Sequence, residues 1–564
     1  MIELINSGTH PKGSSTPAAQ SVTIVRSISV DSNPVHKLNT VDDMNRLAPN
    51  LDCLRGPVSF SLAICFCLLA ACSSEKKSPQ AAEESVVIVA DAPVETAGSE
   101  KTVPPQNVRQ NTPQPEKTPA TSSTAAPEAS KPDQTIYRPS DQRPVHNNQR
   151  LELLGIKCYE SPRLKLYTDI DPKIAVTLPA VIDQAYASLA DYFGPLPPDR
   201  EGTEFQVTGY IMQNRALFRE AGVILDSLPA IVNGRHQGAQ FWMDAQSQPY
   251  YLKHLMLHEY THCYSMIMGD IGAPVWYLEG IAESMATHTT DADGKIHLNV
   301  MPHNKNDFGG LGRITLIEDA VEQAPPRSIQ EIMQFHPANF LYNNEEYAWS
   351  WALCQFFDKH PVYGSPFREL AQHMHGDGFS KKIQEMLGDD YAKVNDDWML
   401  FARNLQPGYD FQNAAVTFAS GESLRPDSSA TAVVNSQKGW QSSGIHVEQG
   451  IVYEVSATGR FTLAQKPKPW ESTADGISFQ YFKGQPLGRL IMMIQPDPDM
   501  KLTHPNSILK EYPLGAHASW MAPVSGTVYF RLNDAWNSLA DNRGEVEVTL
   551  QRKSKPTTGD DSDR

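Results

Sequence analysis

The chain of 564 residues is too long for one ordinary domain, and its 40% hydrophobic content is enough to build real cores. A formal net charge of −17, with no run of Lys and Arg, argues against a nucleic-acid partner. Of seven cysteines, Cys53, Cys65, Cys67 and Cys72 cluster around one apolar segment. Cys158, Cys263 and Cys354 lie further on without a CxxC pair, so no cysteine-based zinc or redox motif is indicated and at least one of the three is unpaired.

The first address signal is "PVSFSLAICFCLLAACSS", residues 57–74. Its apolar run, 58–71, is shorter than the roughly 20 residues a spanning helix needs but fits the apolar part of a signal peptide. The ending Leu69-Ala70-Ala71-Cys72 resembles a bacterial lipobox, which implies lipidation of Cys72, and Ser73 resembles the outer-membrane sorting signal of Gram-negative lipoproteins. Met44, with Arg46 and Arg55, supplies a basic start at the usual distance, so residues 1–43 are read as an upstream extension before the true start. Residues 73–148, rich in Pro, Thr, Ala, Ser, Gln and Glu, cannot bury enough apolar surface to order themselves and are read as a flexible tether.

A folded region is expected next, from 149 to 408. "RLKLYTDI" (163–170) reads as a strand, "KIAVTLPAVIDQAYASLADYFG" (173–194) as an amphipathic helix, and "EFQVTGYIMQ" (204–213) and "GAQFWMDA" (238–245) as further strands. A helix then runs without Pro or Gly over 250–268 and carries "HEYTH". His258 and His262, four apart, project from one face and can share a zinc ion, with Glu259 beside the first to act on water. The bare pattern also fits a solvated polar helix face.

A catalytic zinc takes three protein ligands, and "GAPVWYLEGIAESMATH" (272–288) offers the third. Sixteen residues, 263–278, separate His262 from Glu279, enough for one helix to end and a second to face it. HExxH followed by Trp-x-x-Glu-Gly-x-Ala-Glu resembles the gluzincin metallopeptidases, particularly the aminopeptidase-like and peptidase MA-like groups. The resemblance spans about 160–400, with strong motifs only at 258–283. It implies an α+β metallopeptidase fold, Glu279 as the third zinc ligand, and Glu259 as the general base for hydrolysis of a peptide bond. It further implies that 238–245 borders the substrate cleft and pairs with extended peptide.

Glu283 follows Glu279 by one turn on the same face and is a candidate partner for a ligand imidazole; a solvent-facing charge is the competing reading. Tyr347, in "YNNEEYAWSWALCQFFDKH" (342–360), resembles the tyrosine that gluzincins place over the site, although Trp351 and Leu353-Cys354 equally suggest a core helix. His254, one turn before His258, reads as a satisfied helix histidine, and His288, His297 and His303 have no spacing argument.

After 404 the pattern turns to short strands: "GIVYEVSATGRF", "GRLIMMIQ", "GTVYFRLND" and "GEVEVTLQRK". A β-sandwich is expected over 409–553, followed by a disordered tail at 554–564. Asp534, Asp541 and Asn542 gather side-chain oxygens in one loop, as calcium prefers, though such loops are also commonly turns. Residues 437–550 resemble the calcium-dependent galactophilic lectins of bacteria in "APVSGTVYFRLND", in the acidic/amide pair seven and eight positions after Asp534, and in "ATGRF". The resemblance implies side-chain ligation by Asp534, Asp541 and Asn542 and carbonyl ligation by Leu463 and Ser538. The stretch after Trp470 is shorter than in those lectins, and their sugar-contacting His/Gln pair has no counterpart.

The chain therefore reads as a multidomain cell-envelope lipoprotein: an α+β gluzincin-like zinc peptidase followed by an all-β, lectin-like sandwich. The expected partners are a peptide or glycoprotein substrate, a glycan, and a Gram-negative outer membrane held through the lipid on Cys72. The alternative is a surface glycan-binding lipoprotein whose peptidase-like part is inert. A structural lipoprotein of the cell envelope is a third reading.

Overall fold

In the computed structural model the described residues are 136–224, 228, 230–304, 312–341, 343–504 and 506–554. The expected upstream extension, signal peptide and lipidated Cys72 lie outside them, as do 555–564 of the expected tail. Among the described residues no helix is long and apolar enough to cross a membrane. The chain mixes α and β structure with several sheets.

The expected tether extends to 148, but its last part is held in place. Arg138 and Asp141 are buried and joined to each other, and Arg138 also donates to the Thr203 carbonyl at 2.7 Å. Asp141 in turn accepts from the Gln206 backbone at 3.1 Å. Charged groups at fixed positions, invisible to a composition argument, anchor this segment.

The first sheet contains β1 (Lys157–Glu160), β2 (Leu164–Thr168), β3 (Val207–Met212), β4 (Gly234–Gln237) and β5 (Gln240–Asp244), in the order β1-β2-β3-β5-β4. β2, β3 and β5 are parallel neighbours, and β1 and β4 close the edges antiparallel. β4 and β5 form a hairpin around Gly238 and Ala239, with Gly238 at φ +55°, a conformation glycine adopts without strain. This corrects one expectation: the 238–245 segment is an internal strand, and β4 takes the edge position. The expected single helix over 173–194 is also interrupted. A short turn of helix at Pro172–Ala175 precedes α1 (Leu178–Phe193), whose first turn holds Pro179, tolerated there because the first helical N–H groups need no partner.

Next come α2 (Pro249–Ser265), α3 (Val275–Ala286), α4 (Arg313–Gln323), α5 (Asn344–Lys359) and α6 (Tyr391–Asn404). Pro249 opens α2, and Gly269 at φ +70° reverses the chain after it. All of α3 is buried, packed between α2 and α5. Gly280 makes the second contact possible: a Cβ there would stand 2.4 Å from the Ser350 carbonyl and 2.7 Å from Cys354 Sγ.

The last part stacks two sheets. Its strands include β6 (Ser429–Asn435), β7 (Gln441–Val447), β8 (Val452–Thr458), β9 (Leu490–Pro496), β10 (His517–Met521), β11 (Gly526–Leu532) and β12 (Arg543–Arg552). β9, β11 and β7 are consecutive neighbours in one sheet; β12, β8 and β10 are consecutive in the other, with β6 paired to β12. β9 is buried along its length on both faces. Leu490, Met492 and Ile494 enter the core between the two sheets, while Ile491 and Met493 join the core of the helical part. Trp440, Tyr529 and Trp536 join that same core. Polar ties reinforce the seam: Gln495 Nε2 donates to Asp396 Oδ2 at 3.0 Å, and the Asp410 N–H to the Trp536 carbonyl at 2.9 Å.

Candidate metal centre

α2 and α3 bring His258, His262 and Glu279 together, each fully buried, with one ligand atom from each lying within 4.8 Å of the others. The two Nε2 atoms are 3.0 Å apart, and Glu279 Oε2 lies 3.3 Å from His258 Nε2 and 3.4 Å from His262 Nε2. A tetrahedral ion with bonds of about 2.0–2.1 Å has ligand–ligand edges of about 3.3–3.4 Å. Two edges of the triangle match this length and the Nε2–Nε2 edge is about 0.3 Å shorter, so the three side chains could hold an ion of zinc's size, and neither Glu279 oxygen has a hydrogen-bond partner in the protein. Burial opposes the charge on Glu279, but the facing His262 and His258 rings hold its carboxyl below the usual range.

Glu283, one turn further along α3, is a hub. Its Oε1 lies 3.0 Å from His258 Nδ1; its Oε2 lies 3.1 Å from His254 Nε2 and accepts from Arg313 Nε at 2.8 Å. Burial works against this carboxylate, yet Arg313 and then His254 keep its pKa well below the usual value. His254, expected only to satisfy its helix, thus belongs to the carboxylate network behind His258. Its own pKa is lowered by burial, with Glu283 opposing.

Glu259 is fully buried, and its place is shaped by β4. A Cβ on Gly234 would fall 2.2 Å from Glu259 Oε1, so the glycine makes room for the carboxylate. Two residues on, His236 faces the same side: its Nδ1 is 4.0 Å from Glu259 Oε2, and its ring stacks on His262 with centroids 4.7 Å apart. Burial, followed by His262 and His258, depresses the pKa of His236 well below the usual histidine value.

Tyr347 on α5 is buried, with its ring centroid 6.4 Å from that of His258 and the Arg313 guanidinium 5.6 Å from its own. His288 stacks on Tyr250 at 4.6 Å. His297 pairs with Asp291 at 3.4 Å, and neither His288 nor His297 is grouped with the metal triad. Sequence reasoning missed Gly234, His236 and Arg313. The hairpin glycine Gly238 was the available signal for β4, whereas Arg313 carries none, because only the tertiary fold brings the first residue of α4 to Glu283.

In the sandwich, Asp534 and Asn542 are buried and joined, Asn542 Nδ2 donating to Asp534 Oδ2 at 2.8 Å. Asn542 Oδ1 is buried without a partner. Burial pushes the Asp534 carboxyl up to about 6. Asp541 is exposed, Ser538 is half-buried, and Leu463 is buried with its N–H on the Trp470 carbonyl. The oxygen set is one a hard cation takes, and the buried Asn542 Oδ1 without a partner fits such a group.

No family model matches the chain. No curated protein matches it either. Among solved structures, "EclA N-terminal domain; PllA-like lectin" is similar at 18% identity over 22% of this chain and 95% of that one, with a TM-score of 0.17. IMPa metallopeptidase from Pseudomonas aeruginosa is similar at 11% identity over 70% of this chain and 47% of that one, with a TM-score of 0.14. IMPa from the same organism in complex with an O-glycopeptide is similar at 11% identity over 45% of this chain and 25% of that one, TM-score 0.12. The chain thus spans less than half the length of these metallopeptidase structures, and scores this low do not establish a shared fold.

Proposed function

We propose that the protein is a zinc-dependent peptidase of the cell envelope, lipid-anchored through Cys72 to a Gram-negative outer membrane. Its class would be the gluzincins, with peptides or glycoproteins as substrates. The observation that carries the proposal is the buried triangle of His258, His262 and Glu279, at separations close to those between the ligands of a tetrahedral zinc, with Glu283 behind His258.

His258, His262 and Glu279 would hold a zinc ion, which when bound would supply the Lewis acidity that lowers the pKa of water toward neutrality. Every remaining task falls to the chain. Glu259 takes a proton from the attacking water and returns it to the leaving amine nitrogen. β4, at the sheet edge, pairs with the substrate backbone and aligns the scissile carbonyl. Tyr347, beside His258, is the candidate donor to the developing oxyanion.

For the sandwich we propose calcium at Asp534, Asp541 and Asn542, with Leu463 and Ser538 carbonyls, and a glycan as ligand. The buried, unpartnered Asn542 Oδ1 supports the cation. A glycan-binding module rigidly fixed to the peptidase would concentrate glycoprotein substrates near the cleft.

The test is metal content and peptide hydrolysis by the purified protein beside Glu279→Ala and Glu259→Gln. One zinc per chain, lost in the first variant, together with hydrolysis abolished and zinc kept in the second, is expected. A wild type that takes up no zinc when offered it would leave the inert, glycan-binding alternative in its place.

A further inference from the structure

The site holds one chemically capable group without a role in the mechanism above. His236 is on β4, two residues from the glycine that accommodates Glu259, so both face α2. Arg235, between them, points away and donates to the Ala230 carbonyl at 3.5 Å. The His236 ring is clamped: its face lies against His262, tilted only 22°, and the residue is 7% exposed. Its Nδ1 is buried without a hydrogen-bond partner.

An imidazole that only filled space would leave that nitrogen a standing cost, since a buried polar atom without a partner destabilises by about 1–3 kcal/mol. The nitrogen is instead 4.0 Å from Glu259 Oε2, too far for a direct hydrogen bond. It is the separation bridged by a single oxygen about 2.8 Å from each atom, with an angle near 90° at that oxygen. The oxygen that must lie within reach of Glu259 during hydrolysis is that of the attacking water.

We infer that His236 is a further catalytic residue of this site: its Nδ1 hydrogen-bonds the oxygen of the attacking water opposite Glu259 and fixes the direction of attack. The inference rests on the peptidase reading. His236 neither gains nor loses a proton over the cycle. As the C–O bond forms and the C–N bond breaks, both water protons pass through Glu259 to the amine nitrogen, and a carboxylate and an ammonium leave. An oxygen held by two fixed groups has one approach to the carbonyl; held by Glu259 alone it has several.

Two substitutions separate this role from packing. His236→Asn keeps a polar atom near the Nδ1 position and loses the ring; His236→Phe keeps the ring on His262 and loses the polar atom. The full-length protein would be loaded with Zn2+ and assayed on a fluorogenic peptide that the wild type cleaves. Zinc content and acetohydroxamate binding by calorimetry would be measured alongside. We expect His236→Phe to keep its zinc and its KM within about twofold while kcat falls on the order of 10²-fold. His236→Asn recovers at least about tenfold of that loss, and acetohydroxamate binds the Asn variant more tightly than the Phe variant.

The reverse order, with Phe equal to or better than Asn, makes His236 a packing ring and overturns the inference while leaving the peptidase standing. Zinc lost from both variants overturns it too, assigning His236 to support of the metal site. A wild type without zinc or hydrolysis overturns both readings together. Should the Phe variant not fold, His236→Leu against His236→Asn gives the same comparison.

Discussion

Glu283 Oε1 stands 3.0 Å from His258 Nδ1, while the other oxygen of the same carboxylate meets both His254 and Arg313. One side chain therefore fixes the tautomer and rotation of the His258 imidazole and ties it to His254 on the same helix and to Arg313 at the start of α4. Glu283→Gln keeps the shape but removes the charge, and an amide cannot accept from all three neighbours. Zinc affinity is expected to fall about 10–100-fold. The buried Arg313 would also lose its anionic partner, a change of about 3–5 kcal/mol in stability. Competition titration with a metal chelator, beside urea unfolding of the apoprotein, measures both. Unchanged affinity would reduce Glu283 to a structural ion pair.

Gly280 follows Glu279 because two helices meet there. An added Cβ would lie 2.4 Å from the Ser350 carbonyl and 2.7 Å from Cys354 Sγ, and the first of these is backbone that cannot swing aside. Gly280→Ala must part α3 from α5 and carry Glu279 with it. We expect a loss of about 1–3 kcal/mol in stability and weaker zinc binding together. Gly234→Ala differs, because its Cβ would meet side-chain ends and no backbone: the Glu259 carboxylate and, at 3.1 Å, Leu255 Cδ1. It should keep zinc and the fold and lose turnover. Comparing zinc content, melting temperature and kcat of the two variants tests that contrast.

The legible parts of this molecule are those written in a local code. HEYTH and the Glu-Gly pair sit on helices bounded by Pro249, Gly269 and Pro274, and those boundaries can be read off the sequence. β4 is four residues long with a glycine at one end, too short for its alternation to register, so His236 escaped notice. The seam between the helical part and the sandwich had one trace: "LIMMI" is apolar at every position, which suits a strand covered on both faces. Its partners, Trp440, Trp536 and Tyr409, come from separate segments with no shared period, so which surfaces meet was not readable.

That seam makes the two parts one folding unit. Trp536 is 1% exposed, lies under the Arg531 guanidinium at 3.8 Å and stacks on Tyr409 at 5.9 Å. Removing the indole should cost about 3–5 kcal/mol. Because the core is shared, Trp536→Ala should lower one common transition, with zinc release and loss of sandwich structure coinciding in calorimetry and near-ultraviolet dichroism. Two separated transitions in the wild type would contradict a shared core.

His288 contributes to the loss of stability in acid. The ring is buried against Tyr250, its Nδ1 lies 2.8 Å from the Ala286 carbonyl, and burial lowers its pKa to about 4 from an ordinary 6.5. Above pH 6.5 both folded and unfolded forms carry the neutral ring, and stability is unaffected. Between about 6.5 and 4 the unfolded chain binds a proton that the folded chain refuses, so stability falls as pH falls. The loss over that window is roughly 3 kcal/mol, at 1.36 kcal/mol per unit. His288→Asn retains a donor for the Ala286 carbonyl and does not titrate. Urea unfolding at pH 7 and pH 4.5 should therefore show the variant losing less stability than the wild type. Equal losses would mean that His288 takes up its proton in the folded protein, with the Ala286 carbonyl outweighing the burial that opposes it.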